Sequence, residues 1–229
     1  MSTELDRKEI KKPDVFLEHS TTFIHFLNQN IKLVVALFVF ALLGAGGFTL
    51  YLNLKKNKEQ NAYEALYNAQ KSLQANLLKS PLEWEKNLKL DIEKLEALSK
   101  NYSKTAATFE AYVNLGNLYF DKGNTLKASE YFNLATQSTS HVFLKNSARF
   151  LLATAFENSK KYGEAILNLE LILQSGEKSL RQNTLLALAR NYELKGDKEK
   201  AKTEYDRIQK EYPNTSGSKF AEFQKRYAL

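Results

Sequence analysis

The stretch YVNLGNLYFDKGNTLKASEYFNLA, residues 112–135, decides the fold. Tyr112, Leu115, Gly116 and Tyr119 recur at the three- and four-residue spacing of one helix face. Lys122-Gly123-Asn124 then gives a turn signal, and Ala128, Phe132 and Ala135 resume helical spacing beyond it. The large-small pair Leu115-Gly116 is placed to meet Ala128 across a helix crossing. Small residues there let two backbones approach, while Tyr119 and Phe132 fill the space beside them. The unit is a helix–turn–helix hairpin, and it recurs. A second copy has Leu152, Ala153, Phe156, Ala165, Leu169 and Ile172. A third has Leu185, Leu188, Ala189, Tyr192, Ala201, Tyr205 and Ile208, with Pro213 after it. The anchoring alanines Ala128, Ala165 and Ala201 lie 37 and 36 residues apart.

A helical bundle that repeats alanines by accident is the rival reading. Seven matched positions in the first copy, with recurrence in all three, favour a true repeat. Small residues at the eighth and twentieth positions, with large ones between, resemble the tetratricopeptide repeat. The expected fold is therefore all-α, an α-solenoid of stacked hairpins. No hairpin buries its apolar face alone, so the units must stack. Such repeats hold partners and rarely do chemistry. Lys160-Lys161-Tyr162-Gly163 and Lys195-Gly196-Asp197 read as the turns of the second and third copies.

Leu33 to Leu52 is a run of twenty residues without a charge. At ~1.5 Å per residue it makes ~30 Å of helix, the thickness of a bilayer's hydrocarbon core. Lys32 closes it on one side, Lys55, Lys56 and Lys58 on the other, and Tyr51 sits at an expected aromatic boundary. A cleaved signal peptide is the alternative, with Gly44-Ala45-Gly46 as a small-residue cleavage site. Its apolar core would be shorter, and its charged leader would not be 32 residues long. Ala41, Gly44, Ala45 and Gly47 also offer a small-residue patch to another membrane helix.

Residues 1–32 read as a polar tail carrying Pro13, followed from Val15 to Asn30 by apolar residues at Phe16, Phe23, Ile24 and Leu27. That spacing suggests an interfacial helix before the transmembrane helix at 33–52. The repeat domain is expected over 53–229: a degenerate pair at about 59–104, repeats at about 109–142, 146–179 and 182–215, and a capping helix at about 217–228. In the degenerate pair Tyr63, Leu66, Ala69 and Leu73 share one face, Ser80-Pro81 breaks the chain, and Trp84, Leu88, Ile92, Leu95 and Leu98 form the second stripe. Tyr102-Ser103-Lys104-Thr105 echoes Tyr212-Pro213-Asn214-Thr215, but Asp91 stands where the anchoring alanine belongs. In the cap, Phe220, Phe223 and Tyr227 are expected to cover the last repeat.

The first 52 residues carry five basic and five acidic groups, so the net charge of +7 lies wholly in residues 53–229. The excess is spread among interleaved acids, without the concentrated stripe that nucleic acid would require. Lys55, Lys56 and Lys58 are placed to meet anionic lipid beside the membrane. There is no cysteine, which excludes disulfides, thiolate chemistry and a lipidated-cysteine anchor. His19, His25 and His141 form no pair with metal-ligand spacing, and the only glycine cluster lies in the span. Glu193, Asp197 and Glu199 near Lys195, Lys198 and Lys200 read as surface ion pairs. The sequence therefore predicts no enzyme, no cofactor and no small-molecule substrate.

In the resembled repeat, partners dock on the concave wall made by the first helices. The corresponding positions here are Val113, Asn117 and Phe120, then Phe150, Thr154 and Glu157, then Leu186, Arg190 and Glu193. They form a mixed wall suited to an extended segment with hydrophobic side chains. Val113 and Phe150 stand where a carboxylate-gripping repeat would carry cations, which disfavours that mode. Burial of Phe120, Phe150 and Leu186 beneath neighbouring helices is the competing reading.

A short amino-terminal segment, one span and a repeat domain of this size together resemble the bacterial ancillary subunit of the Sec translocon and its relatives. Phe26-Leu27-Asn28-Gln29-Asn30-Ile31-Lys32, just before the span, is similar to that family's entry to the membrane. The resemblance implies the inner membrane, repeats on the periplasmic side, contact with the translocon, and transfer of emerging client chains to periplasmic chaperones. Lys55, Lys56 and Lys58 outnumber Lys32 near the span, and the positive-inside tendency would instead place them in the cytoplasm. The alternative is thus a cytoplasm-facing membrane adaptor or assembly factor.

Overall fold

The computed structural model describes residues 15–76 and 81–227, with side chains over 20–76 and 87–227. The tail around Pro13, the side chains of Phe16, His19 and Trp84, Ser80, and Ala228 of the cap lie outside the described residues. What is described is helical, without a strand. The helices are α1 (Val15–Gln29), α2 (Ile31–Asn76), α3 (Pro81–Asn101), α4 (Ala106–Asp121), α5 (Thr125–Ser138), α6 (Val142–Asn158), α7 (Tyr162–Gln174), α8 (Arg181–Lys195), α9 (Lys198–Glu211) and α10 (Ser216–Tyr227). The chain divides into two compact units, Met1–Lys56 and Asn57–Leu229, with the boundary inside α2.

The first unit holds α1 and the apolar part of α2. That part is long and apolar enough to cross a membrane, and none of it is buried. Phe38, Phe40 and Leu43 all stand exposed. Asn30 joins the two helices, donating from its backbone N–H to the Phe26 carbonyl at 3.1 Å and accepting from Val34 at 2.9 Å. Its side-chain amide also donates to the Phe26 carbonyl.

The second unit is an α-solenoid of hairpins. From α3 onward, each helix packs mainly on its neighbours in the chain, and α10 closes on α9 and α8. Ala128, Ala165 and Ala201 are wholly buried at the three crossings. At the first crossing a Cβ on Gly116 would fall 2.4 Å from Phe132 Cε1, so only glycine fits beneath that ring. Ala153 and Ala189 take the same role in the later copies.

Each hairpin turn uses one left-handed residue. Gly123 (φ 76°) and Gly196 (φ 91°) serve the first and third, as glycine permits. The second differs from expectation. Gly163 lies within the first turn of α7, and Lys160 takes the left-handed conformation at φ 59°. The starts of α5 and α9 are capped by side chains: Asn124 accepts from Lys127 N–H at 3.1 Å, and Asp197 from Lys200 N–H at 3.2 Å. The turns before α4 and α10 match closely. Lys104 and Asn214 both have positive φ. Thr105 then accepts from Thr108 N–H, and Thr215 from Ser218 N–H.

The earlier pair replaces the anchoring alanine by a polar contact. Asp91 is fully buried and accepts from Asn76 at 2.6 Å and from Lys94 at 3.1 Å. Ala62, Leu66 and Ala69 of α2 pack with Leu95 and Leu98, while Tyr63 turns outward. The cap also departs from expectation. Gly217 and Ala221 are its buried residues, and Phe220, Phe223 and Tyr227 are 46, 56 and 68% exposed. A Cβ at Gly217 would meet Gln182 Nε2 at 2.4 Å and Leu186 Cδ1 at 3.3 Å, so the small residues make the close approach.

Candidate partner-binding wall

α4, α6 and α8 open the three hairpins, and the nine candidate wall residues lie on them. Their large apolar members are half-buried. Val113 packs with Phe109, Ala135 and Ala148. Phe120 leans on Ala128, Phe132 and Leu152, while Phe150 and Leu186 rest on the core between α6 and α10. Each keeps part of its surface for solvent, as an amphipathic anchor does.

The polar members are less available. Glu157 receives a two-pronged contact from Arg190, at 2.8 and 3.0 Å, and a third donor from Asn191 at 2.6 Å. This ties α6 to α8 and cancels the Arg190 charge. Glu193 accepts from the Tyr205 hydroxyl at 3.2 Å, so it is engaged with α9. Burial first, and the Glu193 carboxylate second, raise the pKa of that hydroxyl. Thr154 donates to the Phe150 carbonyl one turn back. Asn117 is exposed, and among the described residues it makes no hydrogen bond. The Glu157–Arg190 contact is thus the one link between two side chains of the nine.

A groove of roughly 280 Å³ runs beside Asn117, between α2 and α4, lined by Gln70, Leu73, Gln74, Asn114, Leu118 and Asp121. None of these six was a candidate from sequence. Polar residues of this kind carry no apolar period, and those on α2 lie some forty residues from those on α4. Leu152, Phe156, Glu130 and Glu164 line a second groove, between α5 and α7. Other carboxylates face tyrosines. Tyr131 donates to Glu96, and Tyr192 to Glu170 at 2.8 Å, fastening α5 to α3 and α8 to α7. Burial, then the facing carboxylate, raises both hydroxyl pKa values. Among the described residues no cluster of histidine and carboxylate side chains is arranged to hold a metal ion.

A family profile described as the tetratricopeptide repeat-like domain matches residues 25–224. The chain belongs to the tetratricopeptide repeat-like domain family. The family match takes in the apolar part of α2 as well as the hairpins. Among solved structures, the nearly identical TPR-like repeats of a Podosopora anserina protein described as a kinesin light chain are similar in fold. They share 15% identity, with 71% of this chain and 82% of that chain covered and a TM-score of 0.51. A point variant of the same repeats gives 15%, 71%, 82% and 0.52. No curated protein matches the sequence. The tetratricopeptide repeat-like fold is that of a protein-interaction scaffold, whose stacked helices bind other proteins.

Proposed function

We propose that this chain is a membrane-anchored scaffold at the secretion machinery, contacting the Sec translocon and passing translocated clients to periplasmic chaperones. One observation carries the reading. An apolar helix of spanning length and a tetratricopeptide repeat-like array with half-buried apolar anchors occur in a single chain. The resemblance at Phe26 to Lys32 adds the secretory setting. The proposed organisation is a tail and interfacial helix at 1–32, a span at 33–52, and a repeat domain at 53–229 with its degenerate pair first and α10 as cap. The nine wall residues would supply the partner contacts, with Phe120, Phe150 and Leu186 as anchors. We assign the chain no catalysis.

Protease access tests the orientation. Digestion of the repeats in intact spheroplasts supports the periplasmic reading and directs crosslinking to the Sec channel. Protection there, with cleavage in inverted vesicles, overturns it in favour of a cytoplasm-facing adaptor, the reading that Lys55, Lys56 and Lys58 favour. Replacing Phe120 and Phe150 by alanine tests the wall. Partner crosslinking should fall while a cooperative melt persists. A lost melt would instead assign both rings to the core.

A further inference from the structure

We propose that the chain associates with a second copy of itself, the outer face of α10 on one copy lying in the groove between α5 and α7 on the other. This goes beyond the scaffold reading and does not depend on it. α10 packs on its own array through Gly217 and Ala221, which leaves its outer face to solvent. On that face Phe220, Phe223 and Tyr227 fall at positions i, i+3 and i+7, a single apolar stripe. The Phe223 and Tyr227 rings already pack together, 4.8 Å between centroids, so part of the ridge is preformed. Beside it stand Lys219 and Arg226, two helical turns apart and both exposed. Lys225 is engaged with Asp206 and Gln209 of α9. Arg226 has a 3.5 Å contact with the exposed Glu222, and among the described residues the Lys219 ammonium pairs with nothing.

The groove carries the complementary pattern. Leu152 and Phe156 line it together with Leu167, which is 61% exposed. Its charged lining is Glu130 and Glu164, with no lysine or arginine. Both carboxylates are exposed, and among the described residues neither is paired. An apolar cavity of about 150 Å³ holds a benzene ring. The groove measures roughly 390 Å³, so two of the three aromatic rings can enter it. A helix laid in an apolar groove is anchored by residues at i, i+3 and i+7, the spacing that α10 presents. Charge selects the occupant: an aromatic ridge flanked by cations meets an apolar groove lined by carboxylates. Both surfaces face solvent within one chain, so they meet only between chains. Because the two patches differ, the contact is heterologous, and each pair keeps one free α10 face and one free groove for further copies.

The test is sedimentation velocity on the full chain in detergent micelles over a range of protein concentrations. The mass of the wild type should rise with concentration. Lys219→Glu/Arg226→Glu and Glu130→Lys/Glu164→Lys should each weaken association by about tenfold or more, as attractive pairs become repulsive. An equimolar mixture of the two variants should associate again, because every acidic face then finds a basic one. Circular dichroism melts check that each variant folds. Where a charge variant melts early, Leu167→Ser and Phe223→Ser, both at exposed side chains, carry the test and should each weaken association. A wild type that stays monomeric overturns the proposal, as do folded variants that associate like the wild type or a mixture that fails to recover. Loss in the α10 variant alone overturns it too, because α10 would then meet another α10. Crosslinking through Phe120 and Phe150 is read separately, so the scaffold reading and this one can each fall alone.

Discussion

At Gly116 a methyl group would arrive 2.4 Å from Phe132 Cε1, and the ring is too buried to retreat. Gly116→Ala should therefore destabilise the repeat unit by about 1–3 kcal/mol, the usual cost of overpacking, despite alanine's better helix propensity. Urea unfolding of the two proteins would measure it; an unchanged midpoint would mean that the crossing is slack. Lys160 presents the opposite case. A lysine at φ 59° bears a left-handed strain of about 1–2 kcal/mol, which glycine avoids at some loss of chain entropy. Lys160→Gly should raise stability by about 0.5–1 kcal/mol. A lower melting temperature would refute the strain argument. This conformation was illegible in sequence because nothing about a lysine announces it. The nearby glycine drew the assignment, and it proved to be an ordinary helical residue.

The pairing of α2 with α3 turns on Asp91, which holds the place of an alanine. Asp91→Ala should cost about 1–3 kcal/mol, because Asn76 is left buried without its acceptor. Adding Asn76→Leu should recover most of that loss, since replacing both partners with apolar groups removes the unmet polar atom. A double-mutant cycle in chemical denaturant decides it, and additive losses would disprove the coupling. Between α8 and α9, Arg181 donates to Glu211 at 2.6 and 3.0 Å and holds the Glu211 carboxyl below its ordinary pKa. The folded state then binds its proton less readily than the unfolded chain. The contribution is fully present above about pH 5 and lost as pH falls through the carboxylate range. Wild type should accordingly lose melting temperature more steeply than Glu211→Gln between about pH 5 and pH 3. Glu204 acts with the opposite sign, since burial raises its pKa, and it is common to both proteins. Parallel acid limbs would show that the Arg181 contact contributes nothing. At this scale the hairpins of α4 to α9 were readable because their alanines and large apolar residues keep one period. The orientation of α10 was not. Large side chains usually point inward, but here Gln182 and Leu186 lie so close that only a glycine fits at 217, and Ala221 is buried with it.

For the molecule as a whole, the all-helical class and the solenoid followed from repetition, and the apolar run marked a helix able to span. The groove beside Asn117 did not follow, since it is lined from two helices that α3 separates in sequence. The nine proposed wall residues could be placed on first helices from the repeat, but their engagement could not be read, since the pairing of Glu157 with Arg190 depends on how one hairpin sits on the next. That nearest-neighbour stacking predicts unequal protection in hydrogen exchange. Amides of α6 and α8, with helices packed on both sides, should exchange more slowly than those of α10, which has only α9 and α8. Uniform protection would indicate a single cooperative block. The same stacking has a consequence for biosynthesis. Because each helix from α4 to α9 packs mainly on the helix made just before it, closure there needs only short loops. The array can therefore condense hairpin by hairpin in the order in which a ribosome supplies it.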